Sequence, residues 1–259
     1  MINSFISRMD FITYDPLPSN GSLSDRAIIN TELVFKFKYA PGERSINTHR
    51  KNYKLKSNQP IYELRFGQSV NGLFQGEYQF SKLNASIRQQ IQIPRFGHVN
   101  YMIYGGKIWS KNALPFMLLE LHPGNEIYYY NKESFNLMNR FEYFSDRFAG
   151  INIEHNIEKK LLNFLPFMRK SPIRQFWNFK TVWGNLNLNS RILNRTDFGD
   201  YRLRALNNNT YTEIGTGFDN IARFFRVDLV WRINPNQRIN SNFQNFNNFG
   251  IMGSFRIQF

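Results

Sequence analysis

Hydrophobic and polar positions alternate along most of this chain. Near its end Phe249, Ile251, Gly253, Phe255, Ile257 and Phe259 share one parity, while Gly250, Met252, Ser254, Arg256 and Gln258 take the other. Phe225, Val227, Leu229, Trp231 and Ile233 stand against Arg226, Asp228, Val230 and Arg232 in the same way. Leu33, Phe35, Phe37 and Tyr39 oppose Glu32, Lys36 and Lys38; Trp177, Phe179 and Trp183 oppose Asn178, Lys180 and Gly184. A strand sends successive side chains to opposite faces, so each segment carries one apolar and one largely polar face. Helical periodicity is nearly absent, and its best stretch, 158–169, is interrupted by Pro166. The pattern predicts an all-β fold with strands over 5–14, 25–39, 60–67, 77–93, 98–109, 135–144, 148–158, 176–187, 211–219, 223–233 and 248–259. A change of parity between Phe80 and Leu83 predicts a bulge in the fourth of these.

Two architectures use such strands. A soluble sandwich turns the apolar face inward, whereas a transmembrane barrel turns it toward lipid and lines a wet lumen with the polar face. Several predicted segments reach or exceed the ~9–11 residues that a tilted strand needs to span a bilayer. Opposite charges recur on the polar parity within single strands, as in Glu63 with Arg65 and Asp228 between Arg226 and Arg232. A lumen lets such charges pair across neighbouring strands. The last strand closes on an aromatic, Phe259, in the form of an assembly signal read by the barrel assembly machinery. These features favour an antiparallel transmembrane β-barrel with about 10–12 strands in this chain.

Composition sharpens this picture. The 259 residues carry 33 Lys and Arg against 19 Asp and Glu, a net charge of +14, and are 17% aromatic with no cysteine. Disulfides, thiolate metal sites and cysteine nucleophiles are excluded, and no apolar run suits a membrane-spanning helix. The connections are of two kinds. Those at 145–147 and 219–222 are tight, while 40–59, 188–210 and 234–247 are long and rich in Asn and Arg. With Phe259 on the periplasmic side, 188–210 and 234–247 fall outside, and 161–175 is a long periplasmic connection. The first ten residues lack a basic leader, an apolar stretch and a small-residue cleavage site. The expectation is therefore one barrel domain over 1–259 that forms the C-terminal portion of a longer precursor, completed by its missing N-terminal strands.

Particular stretches strengthen the reading. Leu114-Pro115-Phe116 with Leu121-His122-Pro123-Gly124-Asn125-Glu126, then Phe135-Asn136-Leu137-Met138-Asn139 and Phe141-Glu142-Tyr143 with Ser145-Asp146-Arg147 form one group. Leu165-Pro166-Phe167-Met168-Arg169-Lys170, Gly215-Thr216-Gly217-Phe218-Asp219-Asn220 and Phe224-Phe225-Arg226-Val227-Asp228 form another. Together they resemble a Bacteroidota outer-membrane family of unknown function. The resemblance implies a barrel that follows, in longer members, a carboxypeptidase-regulatory-like β-sandwich. It also implies a distant likeness to BamA-like barrels, in which a loop folds into the lumen before the last strands. Residues 114–134 hold that place here, without the Arg-Gly-aromatic signature of those barrels.

No catalytic constellation emerges. His49, His98, His122 and His155 lack metal-ligand spacing. Gly215-Thr216-Gly217 precedes no helix, so it reads as room for close approach in a strand rather than a phosphate loop. The expectation is a non-enzymatic protein without cofactors, in the outer membrane, with a structural, transport or surface role. Arg65, Lys180, Arg226, Asp228, Arg232 and Arg256 are expected to face the lumen. Arg191, Arg195, Arg202 and Arg204 are expected in outer loops that meet lipopolysaccharide phosphates. On this reading Phe225→Arg or Leu229→Arg blocks insertion, whereas Arg226→Gln is tolerated. Aromatic and charged residues lie on opposite faces, which argues against stacking on nucleic acid. The alternative is a soluble basic β-sandwich or barrel that binds an anionic polysaccharide or nucleic acid.

Overall fold

A computed structural model describes residues 3–12, 27–42, 45–47, 52–54, 58–127, 129–194, 197–198, 201–202, 204–235 and 248–255. Ten strands build its main sheet: β1 (Asn3–Ile12), β2 (Ala27–Tyr39), β3 (Ile61–Ser69), β4 (Phe80–Ile93) and β5 (Gly97–Ser110), then β6 (Arg147–Glu158), β7 (Arg174–Asn185), β8 (Thr210–Ile221), β9 (Phe225–Asn234) and β10 (Phe249–Phe255). They hydrogen-bond in chain order, each antiparallel to the next, with β1 and β10 at the two edges. The fold is all-β, an up-and-down meander of barrel type. The short α1 (Leu188–Leu193) is the α-helix of the described residues, none of whose helices is long and apolar enough to cross a membrane.

The period-two segments become strands because alternate side chains meet two different environments. Phe37, Leu64, Ile103, Trp177, Ile214, Ile233 and Ile251 are exposed on one face. Asn178, Lys180, Glu213, Arg226, Asp228 and Arg232 are buried on the other. The sheet curls about its polar face, so that Lys38 of β2 and Lys180 of β7 line one cavity of about 450 Å³. Residues 111–127 and 129–146, between β5 and β6, fold into this concavity and form a plug.

Two expectations need correction. Residues 135–144 do not form a strand of the main sheet; they belong to the plug, and of them only Tyr143 and Phe144 are in a strand, Tyr143–Ser145, which pairs with the short strands Glu120–Leu121 and Arg204–Ala205. Consequently 145–147 is the plug's return to the sheet rather than a turn between strands. The bulge expected in β4 is absent, since its registers with β3 and β5 run without a shift. Phe80 takes the polar parity because it packs with Ile108 and the plug residues Leu114, Leu118 and Leu119.

The two three-residue turns, 94–96 and 222–224, fall at the same end of the sheet. That end also carries residues 159–173. The other carries 70–79, the plug and α1. Aromatic side chains of the exposed face gather at both. Phe225 lies 4.6 Å from Phe224 and 4.5 Å from Phe255 at the short-turn end, and Trp231 lies 5.3 Å from Phe249 near the other.

Candidate functional site

The buried polar face of β6–β10 and the plug that covers it form one network. Its centre is Arg226 on β9. The guanidinium donates two hydrogen bonds to Asp228, both of 2.8 Å, and one of 3.0 Å to Glu154 on β6. It also lies over the Phe176 ring at 3.7 Å and the Tyr130 ring of the plug at 4.5 Å. Residues 226 and 228 share a face because they are two apart on a strand. Such a fork holds a carboxylate with two parallel bonds, the geometry that suits arginine over lysine. Gly217 on the intervening β8 keeps the floor bare: a Cβ there would come within 2.7 Å of the Phe176 ring.

The plug is held at several points by side chains of the same face. Lys132 Nζ donates to Glu154 Oε1 at 2.8 Å. Lys180 Nζ donates to the carbonyls of Asn131 and Ser134 at 3.0 and 2.6 Å. Glu213 accepts the backbone N–H groups of Asn136 and Leu137, each at 2.8 Å, and the Tyr211 hydroxyl at 2.8 Å. Arg232 donates to the Leu137 carbonyl and lies 3.8 Å from Glu142. Asn136 ties the plug to itself, donating to the Asn131 carbonyl and accepting the Asn131 N–H. Backbone groups that a strand would pair in a ladder are thus satisfied by charged side chains of the sheet.

Apolar contacts complete the seat. Phe135 and Met138 pack with Phe148, Val182 and Tyr211, and Leu137 and Tyr130 with Val230 and Met252. Tyr130 N–H donates to the Gly253 carbonyl at 3.2 Å, which joins the plug to β10. At the plug's start α1 provides the anchor: Ser190 accepts the Leu114 N–H and Asn194 accepts that of Phe116. Burial raises the Tyr130 hydroxyl pKa, pushes Tyr143 up to about 12 and raises Glu142 despite the nearby Arg232 and Arg204. Burial also pushes the His122 imidazole down to about 4, while Glu120 pulls weakly the other way. The ring lies 2.9 Å from the Ser145 hydroxyl and edge-on to Phe148.

Lys180, Arg226, Asp228 and Arg232 therefore sit together on the buried polar face. Arg65 occupies the same face of β3, where it lines a second cavity of about 600 Å³ with Tyr104, Glu120 and His122. Among the basic loop residues, Arg191 in α1 donates to the Leu186 carbonyl at 3.2 Å, and Arg204 lies 3.7 Å from Glu142 of the plug. Arg202 falls in the two-residue strand Tyr201–Arg202. Arg195, Arg256 and Phe259 lie outside the described residues. Sequence reasoning missed Lys132, Tyr130 and Glu213 as members of the network. The parity of β8 marks Glu213 as lumen-facing beside Tyr211, but nothing local marks the plug residues it holds.

Residues 11–189 match the model of the C-terminal domain of a family of unknown function, DUF5686. Among solved structures, the chain is similar to BamA from Haemophilus ducreyi lacking POTRA domains 1–3, at 10% sequence identity and a TM-score of 0.47. That similarity covers 93% of this chain and 46% of the other, so the chain spans less than half of that structure's length. No match was found among curated proteins.

Proposed function

The chain belongs to the DUF5686 family of unknown function, and from that premise we propose that it forms a plugged transmembrane β-barrel of the bacterial outer membrane. The observation that carries this reading is the reversal of the two faces. Asp228, Glu213, Lys180, Arg226 and Arg232 are 0%, 1%, 3%, 3% and 3% exposed, while Phe37, Ile233, Ile251 and Phe255 are all more than half exposed. Water penalises both choices, since buried charge must be paired and large apolar surfaces are seldom left open. A bilayer rewards both: apolar side chains meet lipid and charges face a polar lumen. The aromatic clusters at the two ends suit the two membrane interfaces. A soluble sandwich would turn these same side chains the other way.

The role is structural or transport-like rather than catalytic. Arg226, Asp228, Glu213 and Arg232 are committed to one another and to the plug, while Lys132, Glu154 and Lys180 also border the cavity of about 450 Å³ and Arg65 that of about 600 Å³. Cell fractionation tests the placement. The protein is expected in the outer-membrane fraction, soluble only with detergent, and faster in gel migration before boiling than after. Release into carbonate wash or plain buffer overturns the reading.

A further inference from the structure

The connection between β6 and β7 is unlike the two three-residue turns at the same end of the sheet. Residues 159–173 form two 3-10 turns, Leu162–Phe164 and Pro166–Met168. Leu162 is 6% exposed and packs inward, but its neighbours point away from the protein: Leu161 is 46% exposed, Leu165 43% and Phe164 81%. Phe164 is the most exposed large apolar side chain among the described residues. Basic residues flank these three side chains along the chain, after Glu158 at the end of β6. From 159 to 174 the chain contains Lys159, Lys160, Arg169, Lys170 and Arg174 and no acidic residue.

The segment is fixed in place at the edge of the exposed apolar face. Lys160 Nζ lies 3.7 Å over the ring of Phe96, itself 53% exposed on the neighbouring turn. Asn220 near the end of β8 donates to the Pro172 carbonyl at 2.9 Å and holds the segment from the other side, while His155 of β6 bonds the Phe96 carbonyl at 2.9 Å and fixes that turn. Arg169 donates to the Asn163 carbonyl at 3.0 Å and closes the loop on itself. The tip formed by Leu161, Phe164 and Leu165 lies at the same end as the cluster of Phe224, Phe225 and Phe255.

We propose that residues 159–173 are an interfacial anchor that seats Leu161, Phe164 and Leu165 at the head-group boundary of an anionic phospholipid leaflet. The inference rests on the reading of the sheet as a membrane barrel. Two features identify the occupant: the tip continues the apolar face that meets lipid, and its charges are uniformly positive. Apolar side chains that enter the boundary between head groups and acyl chains, flanked by Lys and Arg that meet lipid phosphates, bind more strongly to anionic surfaces. Long basic side chains reach the head groups while their stems stay with the apolar tip.

The absence of cysteine permits a direct test by site-directed spin labelling. Phe164→Cys and, as a depth reference on β10, Ile251→Cys are labelled in the full chain and reconstituted in two kinds of vesicle. One is phosphatidylcholine with phosphatidylglycerol, the other phosphatidylcholine alone. Collision with oxygen and with a water-soluble nickel chelate reports depth. The 251 label is expected in hydrocarbon in both. The 164 label is expected at the head-group boundary with phosphatidylglycerol and shallower without it, and Lys159, Lys160 and Lys170 all changed to Glu should return it to water. A 251 label in hydrocarbon with a 164 label in water in both vesicles overturns the anchor and leaves the barrel intact. Equal depth in both overturns the anionic preference, and shielding of the 164 label from both reagents points to a protein contact and overturns the lipid assignment. A 251 label in water overturns the barrel reading and the anchor with it.

Discussion

Arg226 and Glu154 sit on strands three places apart in the sheet, β9 and β6, yet their side chains meet at 3.0 Å. Curvature and the glycines of β8 make the contact possible, and it commits one guanidinium to two carboxylates. Truncating it strands Asp228, whose side chain is 0% exposed, with Glu154 kept in partial balance by Lys132. Arg226→Gln is therefore not the benign lumen change that parity alone suggests. Loss of one partner from a buried charge pair costs about 3–5 kcal/mol. The variant is expected to reach the membrane but to lose its fast-migrating form at a lower temperature than the parent, measured by heating before electrophoresis. An unchanged transition temperature counts against the network as a source of stability.

Glu213 acts on the plug more than on the sheet. Its two oxygens accept the N–H groups of Asn136 and Leu137, which no strand ladder satisfies. In Glu213→Ala these buried donors lose their partners, at about 1–3 kcal/mol for each. The plug is expected to loosen while the strands persist. Trypsin should then cut at Lys132 and Arg140 in folded protein, and Glu213→Gln, which keeps one acceptor, should be cut more slowly. Equal resistance in all three forms would contradict the clamp.

The exposed face makes the opposite demand. Ile251 is 56% exposed at the middle of β10 and Leu229 is its register partner on β9. Arg at either position costs about 2–4 kcal/mol at the bilayer midplane. Ile251→Arg and Leu229→Arg are expected to lower the amount of folded protein in the outer membrane, while Ile251→Leu leaves it unchanged. Quantifying the heat-modifiable band in isolated membranes measures this, and parity between the Arg and Leu variants would sink the lipid-facing assignment.

Ten strands were legible because each carries its own signal: alternation over Phe225 to Ile233 needs no knowledge of what lies on either side. The same parity placed Lys180, Arg226, Asp228 and Arg232 on one face. The plug was legible only through the resemblance, which implied a lumen loop over 114–134; its second half, 135–144, was not. Phe135 and Leu137 alternate with Asn136 much as strand residues do, and only contacts from distant strands, Tyr211, Val230 and Glu213, make them a plug. Phe80 misled for the same reason, since the partners that justify an apolar residue on the polar face come from residues 114–119. Period reveals what faces a boundary, whereas a lumen filled by its own chain replaces that boundary with non-local packing.

His122 links the plug to acidity. Burial holds its pKa near about 4, below the ordinary 6.5, so the docked plug keeps it neutral beside Ser145, Phe148 and Glu120. A released plug regains the ordinary value and binds the proton more readily. The contribution of His122 to docking is thus complete above pH 6.5 and declines as pH falls toward 4, by about 3 kcal/mol at 1.36 kcal/mol per unit. Glu142 has the opposite sign, because burial raises its pKa and acid favours its docked, protonated form. The separation is made by His122→Gln, which removes the titration and leaves Glu142 in place. Trypsin cleavage of the plug, with digestion always at neutral pH after a brief acid pulse, is expected to rise in the parent for pulses between pH 6 and 4. In His122→Gln that rise should be absent. A rise of the same size in both proteins would show that His122 does not govern the release.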